Sequence, residues 1–309
     1  MGRTRVAVVG AGPLGAAAAR ELAVRSVPDV VLLDGDDAGD GGAYRSSGGS
    51  ICWYRPDPVK AELIRQTAEH LRRRVADGAA IRLRELPYLL LDRGVLVPAL
   101  NVDSADVVAD LVAQARDHGA QLERVGRVGA VSPRPGGWRV EGDRGDVDAR
   151  VVLLALGAGN VDLVPGLPRR LEKRQLFVLD LPVDDDRARM PHVVARVGGG
   201  HAYVFVKELP EGRRVLLGQE DLMEDRDLTG PSDHFTELLD AGVGRTFGFL
   251  REGRPERILW GVDWADKLPA VTTGEDPTLL AVNCGSGVRA CIPAGRAAAD
   301  AVDRALMHD

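Results

Sequence analysis

Lysine is nearly missing from this chain. Only four of the 40 basic residues are lysine (Lys60, Lys173, Lys207 and Lys267), and the rest are arginine. With abundant Ala, Gly, Val and Asp, that bias matches a GC-rich genome and makes arginine a poor functional marker by itself. Aromatics are scarce, at 4%. Cys52, Cys284 and Cys291 form no CxxC pair, and an odd, sparse set excludes a secreted disulfide framework. The six histidines show no HxxxH or other metal-ligand spacing, so no metal is expected. There is no GxSxG, hence no hydrolase elbow. No apolar run approaches the roughly 18 residues that span a bilayer, so no membrane partner is expected. The net charge of −6 argues against nucleic acid as a partner. No secretory signal fits the first residues, and the reading is a cytoplasmic protein.

What is present is an ordinary core-forming composition. The chain has 309 residues, 45% hydrophobic and 28% charged. At roughly 150 residues per domain that means about two domains, or one large one.

The N-terminus is the most informative part. Arg5 to Val9 reads as a buried strand, followed by Gly10-Ala-Gly-Pro-Leu-Gly15 and an alanine-rich helix to about Val24. A second strand, Val30 to Leu33, ends at Asp34, 19 residues after Gly15. Strand, GxGxxG, helix, strand and acid form the βαβ dinucleotide fingerprint. Gly10 permits the tight turn, Gly12 lets backbone approach a pyrophosphate, and Gly15 lets helix and strand pack closely. The helix that follows, from about Ala16, offers its N-terminus to phosphate. Asp34 accepts from ribose hydroxyls and disfavours a 2′-phosphate, which argues against NADP. NAD and FAD remain open at this point.

Further along, the small-residue stretch Gly41 to Ser50 is too polar for a strand. Amphipathic helices are predicted over Val59 to Val75 and from Ser104, capped by Asp103, to His118. The first has Leu63, Ile64, Thr67, Leu71 and Val75 on its apolar face, which places His70, like His118, on a helix surface. Short strands are predicted at Leu86 to Leu91 and Val95 to Val97, then at Val125 to Val131, Trp138 to Glu141 and Val151 to Leu156. The stretch from Leu176 to Gln219 reads as an antiparallel sheet. A helix follows around His234 to Asp240. The chain closes with strand Leu279 to Val282, a loop Asn283 to Gly287 and a helix from about Pro293 to Leu306.

Four segments then carry a resemblance. Ser46-Ser-Gly-Gly-Ser50, the Val102 to Ala120 helix, Val151 to Gly159, and Cys284 to Ala290 with Pro293 to Val302 resemble, in order, segments of the FAD-dependent D-amino acid oxidase family. That family includes glycine oxidase and sarcosine oxidase. The resemblance favours FAD over NAD and spans nearly the whole chain. It implies an α/β fold: a Rossmann-like FAD-binding domain (1–55, 100–165 and 270–309) interleaved with an antiparallel-sheet substrate domain (56–99 and 166–269). The implied FAD-binding residues are Gly10, Gly12, Pro13, Leu14, Gly15, Asp34, Ser46, Ser47, Gly48, Val128, Ala155, Gly157, Gly285, Ser286, Gly287, Val288 and Arg289.

The chain also departs from the family. The arginine that often holds a substrate carboxylate falls on Gly261 of the Trp260 to Pro269 segment. Arg289 and Arg55 are the replacements, because a guanidinium fork matches a carboxylate. Leu216 stands where sarcosine oxidases carry a lysine over the flavin. Their flavin-linking cysteine is missing, which implies non-covalent FAD. Tyr203 falls where members place a pocket tyrosine, and Arg289, Tyr203 and Arg55 form the catalytic set. Lys207 reads as structural or solvent-exposed, Cys284 as buried packing, and Trp260 and Trp264 as pocket walls or core.

The expected function is oxidation of the C–N bond of an amine or amino acid to an imine, by hydride transfer to FAD. The expected partners are a small-molecule amine and oxygen or another electron acceptor. Oxidation of a 2-hydroxy acid or polyol is the alternative within the enzyme class. A non-catalytic flavin- or NAD-binding subunit of a complex is the alternative outside it.

Overall fold

A computed structural model of the chain describes residues 4–35, 42–163, 171–197, 200–209, 211–220, 230–240, 244–265 and 268–307. Gly41, Lys267 and the expected boundary at 165/166 lie outside the described residues. The chain begins with β1 (Thr4–Val9), α1 (Pro13–Val24) and β2 (Val30–Asp34). Then come β3 (Ser50–Ile51), α2 (Pro58–Ala76), β4 (Leu83–Glu85), β5 (Tyr88–Leu90), β6 (Val95–Val97), β7 (Leu100–Val102) and α3 (Ser104–Asp117). The middle holds β8 (Gln121–Arg124), β9 (Val128–Arg134), β10 (Gly137–Gly142), β11 (Gly145–Leu154), β12 (Leu171–Leu179), β13 (His192–Val197), β14 (Gly200–Leu209) and β15 (Gly212–Glu220). The chain closes with β16 (Pro255–Trp264), β17 (Ala270–Thr273), β18 (Leu279–Asn283) and α4 (Cys291–Met307).

One sheet has the order β17-β18-β11-β1-β2-β8, with the β9–β10 hairpin joined to β11. Strands β2, β1, the second half of β11 and β18 run parallel and are mostly apolar, as strands covered on both faces must be. β11 serves two structures. Its first half pairs antiparallel with β10, and Val151 to Leu154 then enter the parallel core. Helices α1, α3 and α4 pack together on one face. Small residues set their spacing: a Cβ on Gly295 of α4 would lie 2.7 Å from the Ala17 backbone of α1. Helix α2 sends Ile64, Ala68 and Leu71 into the same core.

The second sheet has the order β16-β12-β15-β14-β13-β5-β6 and is antiparallel except between β13 and β5. Its alternation divides two faces. Phe177, Leu179, Val204, Val206, Val215 and Leu217 face a core closed by Leu238 and Leu250. Leu176, Val178, Phe205 and Leu216 face the other way, toward the first sheet's loops. A small sheet of β3, β7 and β4 lies between the two in the chain's path.

The structure corrects several sequence expectations. The strand read over Val125 to Val131 starts later, at Val128, because the chain turns at Gly126, whose φ is +71°; β8, just before that turn, went unread. The strand read over Val151 to Leu156 runs from Gly145 to Leu154, because the hairpin with β10 extends its start. α1 starts at Pro13, and α4 at Cys291. Ser50–Ile51 is a short strand within a stretch read as non-strand. β16 and β17 went unread; β16 is an edge strand of intermediate burial, so it lacks a clean alternation. On α2 the buried face includes His70, while Val75 is exposed.

Candidate active site and dinucleotide cradle

A cavity of about 1860 Å³ lies between the C-terminal ends of β1, β2, β11 and β18 and the second sheet. Its first end is built by the βαβ turn. Gly10, at φ +101°, donates from its N–H to Leu33 O at 2.8 Å. Ala11 N–H donates to Asp34 Oδ1 at 3.2 Å, which fixes the carboxylate at the end of β2. No side chain caps α1, and its first turn holds no acidic residue. The helix therefore presents its N-terminal dipole end to the cavity. A Cβ on Gly12 would meet nothing within 4 Å, whereas one on Gly15 would lie 1.9 Å from Gly10 O. Gly12 thus leaves a cradle open, and Gly15 closes the helix onto its turn.

The second end is built by two loops that follow β11 and β18. Buried Asn160 joins them: its Nδ2 donates to Val282 O at 3.1 Å and Asn283 Oδ1 at 2.7 Å, and its Oδ1 accepts from Leu156 N–H at 2.9 Å. Trp264 Nε1 donates to Gly157 O at 3.0 Å, so this tryptophan is both wall and brace. The turn before α4 is held by Gly287 N–H on Cys284 O at 3.1 Å and Arg289 N–H on Ser286 O at 2.8 Å. Cβ atoms on Gly157 and Gly287 would also meet nothing within 4 Å. Bare backbone therefore lines the cavity at the phosphate end and at the far end. A phosphate cradle at a helix N-terminus, a carboxylate for a ribose, and a long backbone-lined slot fit FAD.

Every expected FAD-binding residue lines this cavity except Gly15, which packs beneath it. Arg289, Arg55 and Tyr203 line it too. The charges of both arginines reach the Tyr88 hydroxyl and the Cys52 thiol, and pull each of them down. Arg55 Nε is buried and has no hydrogen-bond partner. Burial pushes Tyr88 up to about 12 against the pull of Arg289, a Ser50 hydrogen bond and Arg55. Burial likewise pushes Cys52 up, and Cys284 up to about 11.

Gly261 has a structural reason to lack a side chain. A Cβ there would lie 2.7 Å from Ala43 Cβ and 3.0 Å from Ala43 Cα. Directly across the strand pair, Arg174 lines the cavity and pairs with Glu172 and Asp263. Lys207 is buried and not solvent-exposed: its Nζ donates to Ser47 O at 2.7 Å, tying β14 to the glycine-rich loop. His70 is buried beneath α2 and not on its surface, while His118 is exposed.

Sequence reasoning missed the polar members of the second sheet's cavity face. Tyr88, His192 and Phe205 stand side by side on β5, β13 and β14. The His192 ring stacks on Phe205 at 4.4 Å and lies 4.2 Å from Tyr88. His192 Nδ1 is 2.8 Å from Ser50 Oγ. No motif marks these residues, because strand register alone assembles them. Arg174 was missed for the same reason, and Asn160 because its partners Val282 and Asn283 lie 122 and 123 residues away.

Among the described residues, no group of three or more His, Cys, Asp or Glu is placed to hold a metal ion. No helix among them is long and apolar enough to cross a membrane.

The solved structures similar to this chain include glycine oxidase from Geobacillus kaustophilus, at 21% identity and a TM-score of 0.74 over 98% of this chain and 95% of that one. L-proline dehydrogenase from P. horikoshii matches at 18% identity and a TM-score of 0.76, over 98% and 94%. Glycerol-3-phosphate dehydrogenase from Bacillus halodurans, solved with FAD, matches at 16% and 0.70, over 99% of this chain and 65% of that one. No protein with curated annotation matches the sequence. The family model described as FAD dependent oxidoreductase (DAO) matches residues 5–95 and 84–301. With that match over most of the chain, and the cradle its glycines build, the protein belongs to the FAD-dependent oxidoreductase family.

Proposed function

We propose that this protein oxidises the C–N bond of a carboxylate-bearing amine to an imine. The observation that carries this reading is the convergence of Arg55 and Arg289 beside Tyr88, with a buried Arg55 donor awaiting an acceptor. A carboxylate satisfies that donor. Arg55 and Arg289 take the place of the arginine that Gly261 cannot carry.

FAD, when bound, accepts the hydride that leaves the carbon beside the nitrogen. Gly12 and the N-terminus of α1 would hold its pyrophosphate, and Asp34 its ribose. The turn from Gly285 to Arg289 and the N-terminus of α4 would favour negative charge on its ring. Arg55 and Arg289 seat the carboxylate, and Tyr203 orients the substrate from β14. The apolar sheet face excludes water from the reacting carbon. Burial keeps the cavity's Cys52 and Cys284 as thiols, which favours non-covalent FAD. The FAD-binding part comprises the first sheet with α1, α3 and α4, and α2 packs with it. The second sheet forms the substrate part. Three buried free cysteines fit a reducing, cytoplasmic setting. Oxygen or another acceptor then takes the electrons.

The test is the visible spectrum of the purified protein, followed by anaerobic bleaching with a panel of amino acids and N-alkyl amino acids. Bleaching by these supports the reading. Bleaching only by 2-hydroxy acids or polyols would move it to that chemistry. A protein that binds FAD but bleaches with none would be a non-catalytic subunit. Air then shows whether oxygen reoxidises the bleached flavin.

A further inference from the structure

Residues 46–49 form a loop that lines the cavity beside the second sheet. Three consecutive carbonyls of this loop are taken up by the protein. Ser47 O accepts from Lys207 Nζ at 2.7 Å, Gly48 O from Asn101 Nδ2 at 2.8 Å, and Gly49 O from Val102 N–H at 2.9 Å. None of the three donors lines the cavity, so the carbonyls are drawn away from it. The amides on either side of Gly48 are also taken. Ser47 N–H donates to Tyr44 O at 3.0 Å, and Gly49 N–H to Ser47 Oγ at 3.1 Å. Gly48 N–H has no acceptor among the described residues. A half-buried amide in a cavity wall is a donor kept for an occupant.

Two of the three carbonyl donors are local to the small sheet. Asn101 and Val102 belong to β7, which pairs with β3 directly after the loop. Lys207 is different. It reaches Ser47 from β14, 160 residues along the chain. It is buried, and a buried ammonium is costly unless it is paired. The charges around it are Asp103 and Asp106 at the start of α3 and Arg82 just before β4. Arg82 already pairs with both aspartates, at 3.0 and 2.7 Å. The one hydrogen bond of Lys207 Nζ among the described residues is therefore the one to Ser47 O. Phe205, two residues earlier on the same face of β14, presses on the next residue of the loop. A Cβ on Gly48 would lie 2.6 Å from Phe205 Cζ. One strand of the second sheet thus pulls Ser47 by its carbonyl and bears against Gly48.

We propose that Lys207 is a positioning residue for the cofactor: from the second sheet it fixes the loop at residues 46–49 so that Gly48 N–H donates to the flavin half of bound FAD. The adenosine half has its own seat at Gly12 and Asp34, on the first sheet. The inference rests on FAD as the cofactor and is independent of the substrate. It means that the sheet facing the substrate also sets a hydrogen bond to the cofactor.

The test is titration of the apoprotein with FAD and, separately, with ADP, which takes the adenosine seat alone. Lys207→Met keeps a long side chain and removes the donor, and Arg82 still balances the two aspartates. Its apoprotein should melt close to wild type. Its FAD affinity should fall roughly 10- to 150-fold, the equivalent of one hydrogen bond to a charged group, while its ADP affinity stays at the wild-type value. At saturating FAD its visible flavin bands should be shifted from wild type. Lys207→Arg can still give one N–H to Ser47 O and should recover most of the affinity and the wild-type bands. Lys207→Gln, one bond too short to reach, should match Lys207→Met, and it carries the test if the methionine variant does not fold. Wild-type FAD affinity in both the Met and Gln variants overturns the proposal. An equal loss of FAD and ADP, or flavin bands unshifted at saturation, marks a merely structural lysine and overturns it as well. So does a Lys207→Arg variant that recovers nothing.

Discussion

Alanine at Gly12 and alanine at Gly15 should fail in opposite ways, although the two residues sit in one motif. Gly12 has φ −69° and ψ −177°, a backbone any residue adopts, and its added Cβ would touch nothing within 4 Å. Alanine there gains about 0.4–1 kcal/mol through the unfolded chain and loses a few tenths or more as a poorer helix cap, about 0.5 kcal/mol. The apoprotein should therefore melt close to wild type. FAD binding should suffer, because the methyl stands where the pyrophosphate approaches. Losing one charge-assisted hydrogen bond costs about 1.5–3 kcal/mol, which weakens FAD roughly 10- to 150-fold. Gly15 behaves otherwise. Its Cβ would lie 1.9 Å from a carbonyl oxygen, so backbone must retreat by over 1 Å to reach even a tight 3.0 Å contact. Overpacking of this kind costs about 1–3 kcal/mol. Backbone is the obstacle, which favours the upper end, and the apoprotein should melt about 6–12 °C lower. Thermal melts of both apoproteins and FAD titration of Gly12→Ala are the assays. Wild-type FAD affinity in Gly12→Ala, or a wild-type melt in Gly15→Ala, would refute the cradle argument.

Arg55→Met should leave the fold as stable as before, because it removes a buried donor that has no partner. The same change should raise the KM for a carboxylate-bearing amine about 10- to 100-fold, measured beside its uncharged amide. Gly261→Arg should not strengthen carboxylate binding. It should lower the melting point, since its Cβ meets Ala43 at 2.7 Å, by about 1–3 kcal/mol of stability. His70 gives a pH dependence. Burial and the charge of Arg20 hold it down at about 4, against 6.5 in the unfolded chain. The unfolded chain binds the extra proton between those values, so this stability is full above pH 6.5 and is lost as pH falls toward 4. The loss is on the order of 2 kcal/mol, and denaturant midpoints at pH 7 and 4.5 should differ less in His70→Phe than in wild type.

The half of this protein that binds a dinucleotide is local in sequence, and that is why it was readable. Gly10, Gly12 and Gly15 act on neighbours a few residues away, and Asp34 lies one strand further on. Their physics is turn geometry, a helix N-terminus and the end of a strand, all set by short-range spacing. Alanines 16 to 19 and the run Val151 to Leu154 likewise announce close helix packing and a doubly covered strand.

The substrate end is different in kind. Tyr88, His192 and Phe205 lie on three strands and become neighbours only when β5, β13 and β14 pair in one register. Ser50 reaches His192 across 142 residues of chain. Gly261 reads as a lost arginine until Ala43 is seen packed against it, and only the assembled sheet shows Arg174 opposite. Periodicity reports which side of an element is buried, but a buried histidine looks the same in sequence whether it fills a core or lines a cavity. Sequence therefore determined the nucleotide fold and its phosphate cradle, because those depend on adjacent residues. Tertiary structure decided which distant polar groups share the cavity, because that depends on strand register.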